Sequence, residues 1–250
     1  PPVRPRHLAA GRHFRFQRPG AEFRMSTPVR RKAVADPLEE REESLSQMAY
    51  NALLDQLIKR EIPVGSVLQE RRLAEALAIS RTPVRDALNR LESEGFITRK
   101  PGGVLVVKEF STRELIETLH VRQILETEGA RLATGRIPLA ELDEVEADIR
   151  ALLAAPAPNA EKDWEVDSRF HSMIAARSGN AVLAKHIHDL RLKTHMFNMD
   201  RVPERFEIGH REHLSIIDAL RREDREAARA GLYAHIENVK LSIIEKLRAI

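Results

Sequence analysis

Two clusters of side chains have the types and spacing to do chemistry. The first is Ser80-Arg81-Thr82-Pro83-Val84-Arg85, with Asn89 four residues further on. On a helix, Arg81 and Arg85 leave the same face one turn apart. An arginine fork can donate two hydrogen bonds to guanine O6 and N7, and a hydroxyl such as that of Ser80 or Thr82 can bond phosphate or base. Backbone N–H groups at a helix start also attract phosphate. The second cluster is Asp167 and His171, which set a carboxylate and an imidazole on one helical face. Alone, the arginines read as solvated cations and the Asp–His pair as a surface hydrogen bond, so the elements around them decide.

The arginines sit inside a stretch, Leu68 to Val107, that reads as a unit for presenting one helix. Glu70 to Ala78 carries a short helical stripe at Leu73, Ala74 and Leu77, broken by Ile79 and Ser80. Ser80 or Thr82 can cap a second helix, with Pro83 tolerated in its first turn. In that helix Val84, Leu88 and Leu91 recur at i, i+4 and i+7 beside Ala87, so Arg81, Arg85 and Asn89 fall on another face. Gly95 ends it by taking positive φ. Ile97 to Arg99 and Val104 to Val107 then read as strands around the turn Lys100-Pro101-Gly102-Gly103. Two helices, a tight turn and a hairpin predict a winged helix-turn-helix, whose second helix enters the major groove by its N-terminal end. Leu45 to Arg60 is a bracing helix, with Leu45, Met48, Ala49, Leu53, Leu57 and Ile58 on one side.

Composition narrows the class. The 250 residues are 42% hydrophobic and 4% aromatic, with no cysteine, which favours a mainly helical protein and excludes disulfides and thiolate metal sites. That usage fits a cytoplasmic protein, and no run approaches the roughly 18 apolar residues of a membrane span. The net charge of +3 is unevenly spread. Residues 1–35 hold nine Lys and Arg against one Glu, so the rest of the chain is net acidic. Residues 45–108 are mildly basic, ten cations to seven acids, and residues 111–250 mildly acidic, 21 to 24, which suits a DNA reader joined to a sensor. Residues 1–44 are expected to be a disordered basic tail and acidic linker, because the Arg- and Pro-rich start shows no helical or strand period. Met25 reads as a natural start.

After the hairpin, Ser111-Thr112-Arg113-Glu114 is a capping box. Six helices are expected near 112–135, 138–154, 160–178, 181–200, 204–222 and 224–249, an all-α antiparallel bundle that can build a site from inward side chains. The predicted architecture is a winged helix-turn-helix over 45–108 and a helical domain over 111–250.

The run Ile79 to Leu88, followed by Leu91, Glu94-Gly95 and the two wing glycines, resembles the GntR family of bacterial transcription regulators. The resemblance implies DNA contacts by Arg71, Arg81 and Arg85, with Gly102 or Gly103 at the wing tip in the minor groove. Val121-Arg122-Gln123-Ile124-Leu125-Glu126, Asp167 to His171, Ser178-Gly179-Asn180, Glu212-His213 and His235 resemble the FCD effector domain of FadR-like members. That resemblance implies a divalent metal, Zn or Ni by donor type, held by Asp167, His171, His213 and His235, with a small carboxylic acid effector beside it. Arg122 can clamp the carboxylate through two parallel bonds or pair with Glu126 one turn away. Asn180 is expected to cap a helix, and His120, His186, His188 and His195 to be surface or helix-lining residues. The function implied is a ligand-responsive repressor, a homodimer on an inverted-repeat DNA operator and not an enzyme. A metal-dependent hydrolase domain fused to a DNA reader, or an architectural DNA-binding protein with an inert dimerisation domain, are the alternatives.

Overall fold

The computed structural model describes residues 37–157, 159–196 and 205–248. The expected disorder of residues 1–36, the end of the helix expected to reach residue 200 and the break at Pro203 lie outside them. Helix α1 spans Pro37–Ile58, so the acidic stretch expected as linker is helical from Pro37 onward. Proline is tolerated in a first helical turn, and the Leu, Glu and Arg that follow are strong helix formers, so nothing stops the helix at Leu45. Met48, expected on the packed side, is exposed.

Strand β1 (Val67–Leu68) precedes α2 (Glu70–Leu77) and α3 (Arg81–Ser93), and β2 (Ile97–Arg99) and β3 (Leu105–Val107) follow. Ala78 makes the turn between the two helices in the left-handed region, at φ 55°, and its N–H bonds back to Ala74 and Glu75. Ser80 occupies the N-cap of α3 in extended conformation, but neither it nor Thr82 makes the expected side-chain cap bond. β3 is the central strand, antiparallel to β1 and β2, with Ile97 opposite Val107 and Arg99 opposite Leu105. Val104 falls in the turn, where Gly102 and Gly103 at φ 87° and 82° take conformations that a Cβ disfavours. The apolar stripes of α1 and α3 meet here. Leu53, Val84, Leu88, Leu91, Phe96 and Val107 are almost wholly buried in one core.

Among the described residues six helices follow: α4 (Thr112–Ala133), α5 (Leu139–Leu153), α6 (Ala160–Arg177), α7 (Ala181–Met196), α8 (Arg205–Arg221) and α9 (Arg225–Arg248). α4 is the hub, packed on α9, α7 and α6, while α5 bridges α6 and α8. Their main core gathers Val145, Ile149, Phe170, Ile174, Ile216 and Leu232. Among the described residues no helix is long and apolar enough to cross a membrane.

The hinge from wing to bundle is a true capping box. Ser111 Oγ accepts from the Glu114 N–H at 3.1 Å, Glu114 Oε2 accepts from the Ser111 N–H at 3.0 Å, and Lys108 Nζ reaches Glu114 at 2.6 Å. The Lys108 bond first, and the Ser111 backbone bond next, hold the Glu114 carboxyl down at about 2. Ser111→Ala is expected to cost about 1 kcal/mol. The contribution of Glu114 has a defined pH window. Its folded value is depressed, so its stabilisation is complete above the ordinary glutamate value of about 4.3 and is lost as pH falls towards about 2. Melting curves should therefore separate wild type from Glu114→Gln at pH 6 and bring them together near pH 2.

Candidate functional site

The DNA-facing candidates all lie at the surface. Arg71, Ser80, Arg81, Thr82, Arg85, Asn89, Gly102 and Gly103 are exposed on α2, α3 and the wing. α3 buries Pro83, Val84, Ala87, Leu88 and Leu91 on its other face, which fixes the arginines outward. Arg85 is held by Glu70, at 3.0 Å from Nη2, and Arg81 reaches the same carboxylate at 3.4 Å.

The second cluster lies in the bundle. Asp167 and His171 share α6, His213 comes from α8 and His235 from α9, and one ligand atom from each lies within 4.8 Å of every other. His171 Nε2 is 3.6 Å and His213 Nε2 3.7 Å from Asp167 Oδ1, and His213 Nε2 is 3.2 Å from His235 Nε2. Donors bound to a first-row ion at about 2.0–2.2 Å stand roughly 3–3.6 Å from one another, so these three separations are close to that size, in a set whose outer limit of 4.8 Å would have to draw in around an ion. The three imidazoles are nearly inaccessible to solvent.

Carboxylates behind the rings settle which nitrogen faces inward. Glu126 of α4 bonds His171 Nδ1, and Glu212 of α8 bonds His235 Nδ1 at 2.8 Å. A carboxylate only accepts, so each Nδ1 must carry a proton, and Nε2 is the nitrogen each ring turns to the other donors. His171 Nε2 is buried with no hydrogen-bond partner. Three imidazoles and a carboxylate, with one ring nitrogen unpartnered, form the donor set a divalent transition ion takes.

The electrostatics agree. Burial, with the neighbouring histidines, pushes His213 well below its ordinary value, and burial also lowers His235 against the pull of Glu212, so the site favours the neutral ring in both. Burial would raise Asp167, but Arg191 beside it, with His171 and His213, holds it well below the carboxylate range. Glu126 is likewise held down by Arg122 and His171 against its burial, and Glu212 lies at about 2 because bonds from His235, Arg205 and Asn238 outweigh its burial.

The four candidate ligands, Asp167, His171, His213 and His235, open onto a cavity of about 360 Å³. Arg122 lines it, but its guanidinium is engaged: Nε donates to Glu126 at 2.7 Å and Nη1 to Thr194 at 2.8 Å. The ion pair that the sequence allowed is thus formed. The sequence reading missed Arg191, which is buried, donates through Nη2 to Asp167 Oδ2 at 2.5 Å, and has an Nε with no partner. It also missed Trp164, stacked on His195 at 3.8 Å, and His210, whose Nε2 meets Asp163 at 2.7 Å. His195 lines the cavity, whereas His120, His186 and His188 are exposed. Asn180 caps α7 through the Leu183 N–H at 3.1 Å.

α7 has two sides with different partners. Arg191, Thr194 and His195 line the cavity, while Met196 is buried in the core of the winged domain and Leu192 packs against it. Arg60, just past α1, donates to the Met196 carbonyl at 3.4 Å.

Comparison with known proteins places both halves. Residues 45–107 match the family described as bacterial regulatory proteins, gntR family, and residues 117–238 match the FCD domain. The chain is similar to the Nta operon transcriptional regulator of Aminobacter aminovorans, 28% identical over 188 residues that cover 74% of this chain and 87% of that protein. It is also similar to the HTH-type transcriptional repressor RspR of Escherichia coli strain K12, 23% identical and covering 80% and 89%. Among solved structures, E. coli McbR/YncC superposes with a TM-score of 0.69 at 26% identity, covering 80% of this chain and 98% of that one.

Proposed function

The chain belongs to the GntR family of bacterial DNA-binding transcription regulators and carries an FCD effector domain, and from that premise we propose that it is a repressor released by a small carboxylate. Its relatives are named as regulators, and regulation of transcription, not turnover, is its activity. In the proposed reading, Asp167, His171, His213 and His235 hold one divalent ion, Zn or Ni by donor type, and the effector occupies the cavity beside it. When bound, the ion supplies a Lewis-acidic anchor for an anionic ligand.

The chain's own residues do the rest. Glu126 and Glu212 orient two of the rings, and Arg191 steadies Asp167 through one oxygen while leaving the other towards the imidazoles. The unpartnered Arg191 Nε, together with Arg122, supplies guanidinium N–H groups for the carboxylate, a role for which Arg122 alone was expected. The naming of one relative as a repressor supports the direction of regulation. A homodimer on an inverted repeat fits the smallness of one reading helix, and the exposed Val121 and Ile124 on α4 give such a dimer apolar surface to cover.

The observation that carries the reading is the two-sided α7, because a ligand touching Arg191 or Thr194 pushes on an element shared with the reading domain's core. An effector changes DNA affinity only by as much as it prefers one arrangement of the two halves. The test uses a duplex selected by the purified chain from a random pool, titrated with and without small carboxylates in the presence of Zn or Ni. Release of DNA by one of them is the expected result. Ligand-independent binding across the series would leave an architectural protein in its place.

A further inference from the structure

Glu70 opens α2 and lies under the two arginines of α3. Its carboxylate accepts from Arg85 Nε at 3.1 and 3.3 Å on its two oxygens, from Arg85 Nη2 at 3.0 Å and from Arg81 Nη2 at 3.4 Å. The Glu70 side chain is 26% exposed, against 53% for Arg85 and 62% for Arg81, so the acid is the inner member of the cluster. The neighbouring pair on the same helix is different: Arg71 and Glu75, at 2.9 Å, are both mostly exposed and join residues one turn apart.

A guanidinium presents five N–H groups in a fixed fork. Glu70 takes the Nε and Nη2 edge of Arg85, and the edge formed by Nη1 and Nη2 keeps two parallel donors. Two parallel donors are what guanine O6 and N7 require. A free arginine on a surface helix can swing to a phosphate as readily as to a base, and it surrenders rotamer freedom when it docks. A carboxylate that already grips one edge removes much of that choice. Its negative charge also opposes the approach of a phosphate to the same guanidinium. We infer that Glu70 is a positioning residue for base recognition, holding Arg85 by one edge so that its other edge reads a guanine instead of contacting the phosphate backbone.

This rests on the reading of α3 as the helix that meets DNA, and the test separates the two. The probe is a duplex selected from a random pool by the wild-type chain, together with the same duplex altered one base pair at a time and a random-sequence duplex. Glu70→Gln keeps the side chain's size and removes its charge. It is expected to lower discrimination at one guanine position about tenfold, within the range of a lost bidentate contact, while binding to random duplex holds or strengthens. The log–log salt dependence should steepen by about one as Arg85 turns to a phosphate. Arg85→Ala should lose discrimination at the same position, and the double variant should lose no more than Arg85→Ala alone, because the glutamate acts through the arginine. Glu75→Gln makes the same charge change on α2 and should leave base preference intact.

Unchanged discrimination in Glu70→Gln, with discrimination lost in Arg85→Ala, would overturn the positioning role alone. Unchanged discrimination in Arg85→Ala would overturn the reading of α3, and the role of Glu70 with it.

Discussion

His213→Ala is expected to lower divalent-ion affinity at least about 100-fold while the chain still binds its selected duplex. The ring stands between the other donors, at 3.2 Å from His235 Nε2 and 3.7 Å from Asp167 Oδ1, so its loss opens one side of the set. The magnitude follows from a comparison, since removing a residue that only orients a ligand costs about 10–100-fold. A ligand itself should cost no less. The ring also stacks on Phe170 at 4.2 Å and is buried, so the variant leaves a cavity and should melt lower even without metal. Glu212→Gln separates the two effects, because it leaves all four ligands in place while weakening the bond that orients His235, along with those from Arg205 and Asn238. Its expected loss is about 10–100-fold. Elemental analysis of untagged protein after dialysis, followed by chelator competition, reads both values. A His213→Ala chain that retains one ion per chain would remove His213 from the ligand set.

How much of this was legible in the sequence differs between the two halves. The winged domain is built from local signals. Gly95 and the Gly102-Gly103 pair sit at positive φ where the turns require it, and the apolar spacing of α3 alone sends Arg81 and Arg85 outward. The bundle site is a long-range assembly. Asp167 and His171 are four apart and local, but nothing in their spacing points to His213 or His235, which reach them from α8 and α9, and the family resemblance supplied those two.

Glu126 and Arg191 show why the remainder was hidden. Along α4 the buried face runs Leu115, Leu119, Arg122, Glu126, Ala130 and Ala133, a helical stripe with an arginine and a glutamate in its middle. Polar residues at core positions of a stripe were the available signal, because burial obliges them to find partners. Arg191 had a weaker one, since α7 has little amphipathic contrast and packs on both the bundle and the winged domain. Helix α1 starts early for a different reason. Strong helix formers carry it back to Pro37, a propensity that the apolar stripe beginning at Leu45 does not show.

Met196→Ala is expected to loosen the effector's control of DNA while leaving each binding reaction by itself near wild type. Met196 is 4% exposed in the core of the winged domain and lies on the same helix as Arg191 and Thr194, which face the cavity. It touches neither the selected duplex in the proposed reading nor the four candidate ligands. What it does is seat the end of α7 in the core that α1 and α3 share, so in the proposed reading a shift of α7 is passed on through that core. Truncating it should cost about 2–5 kcal/mol of stability, the range for a buried methionine cut to alanine, so the assays belong well below the variant's melting temperature. Coupling between two sites is typically 1–3 kcal/mol, or about 5–150-fold in affinity, and it is reciprocal. In the wild type, the carboxylate that releases DNA should therefore bind more weakly to the DNA-bound chain by the same factor that it weakens DNA binding. In Met196→Ala both factors should fall together towards one. Measuring each affinity with and without the other partner closes the cycle, and undiminished coupling in the variant would show that the signal reaches the winged domain by another route than α7.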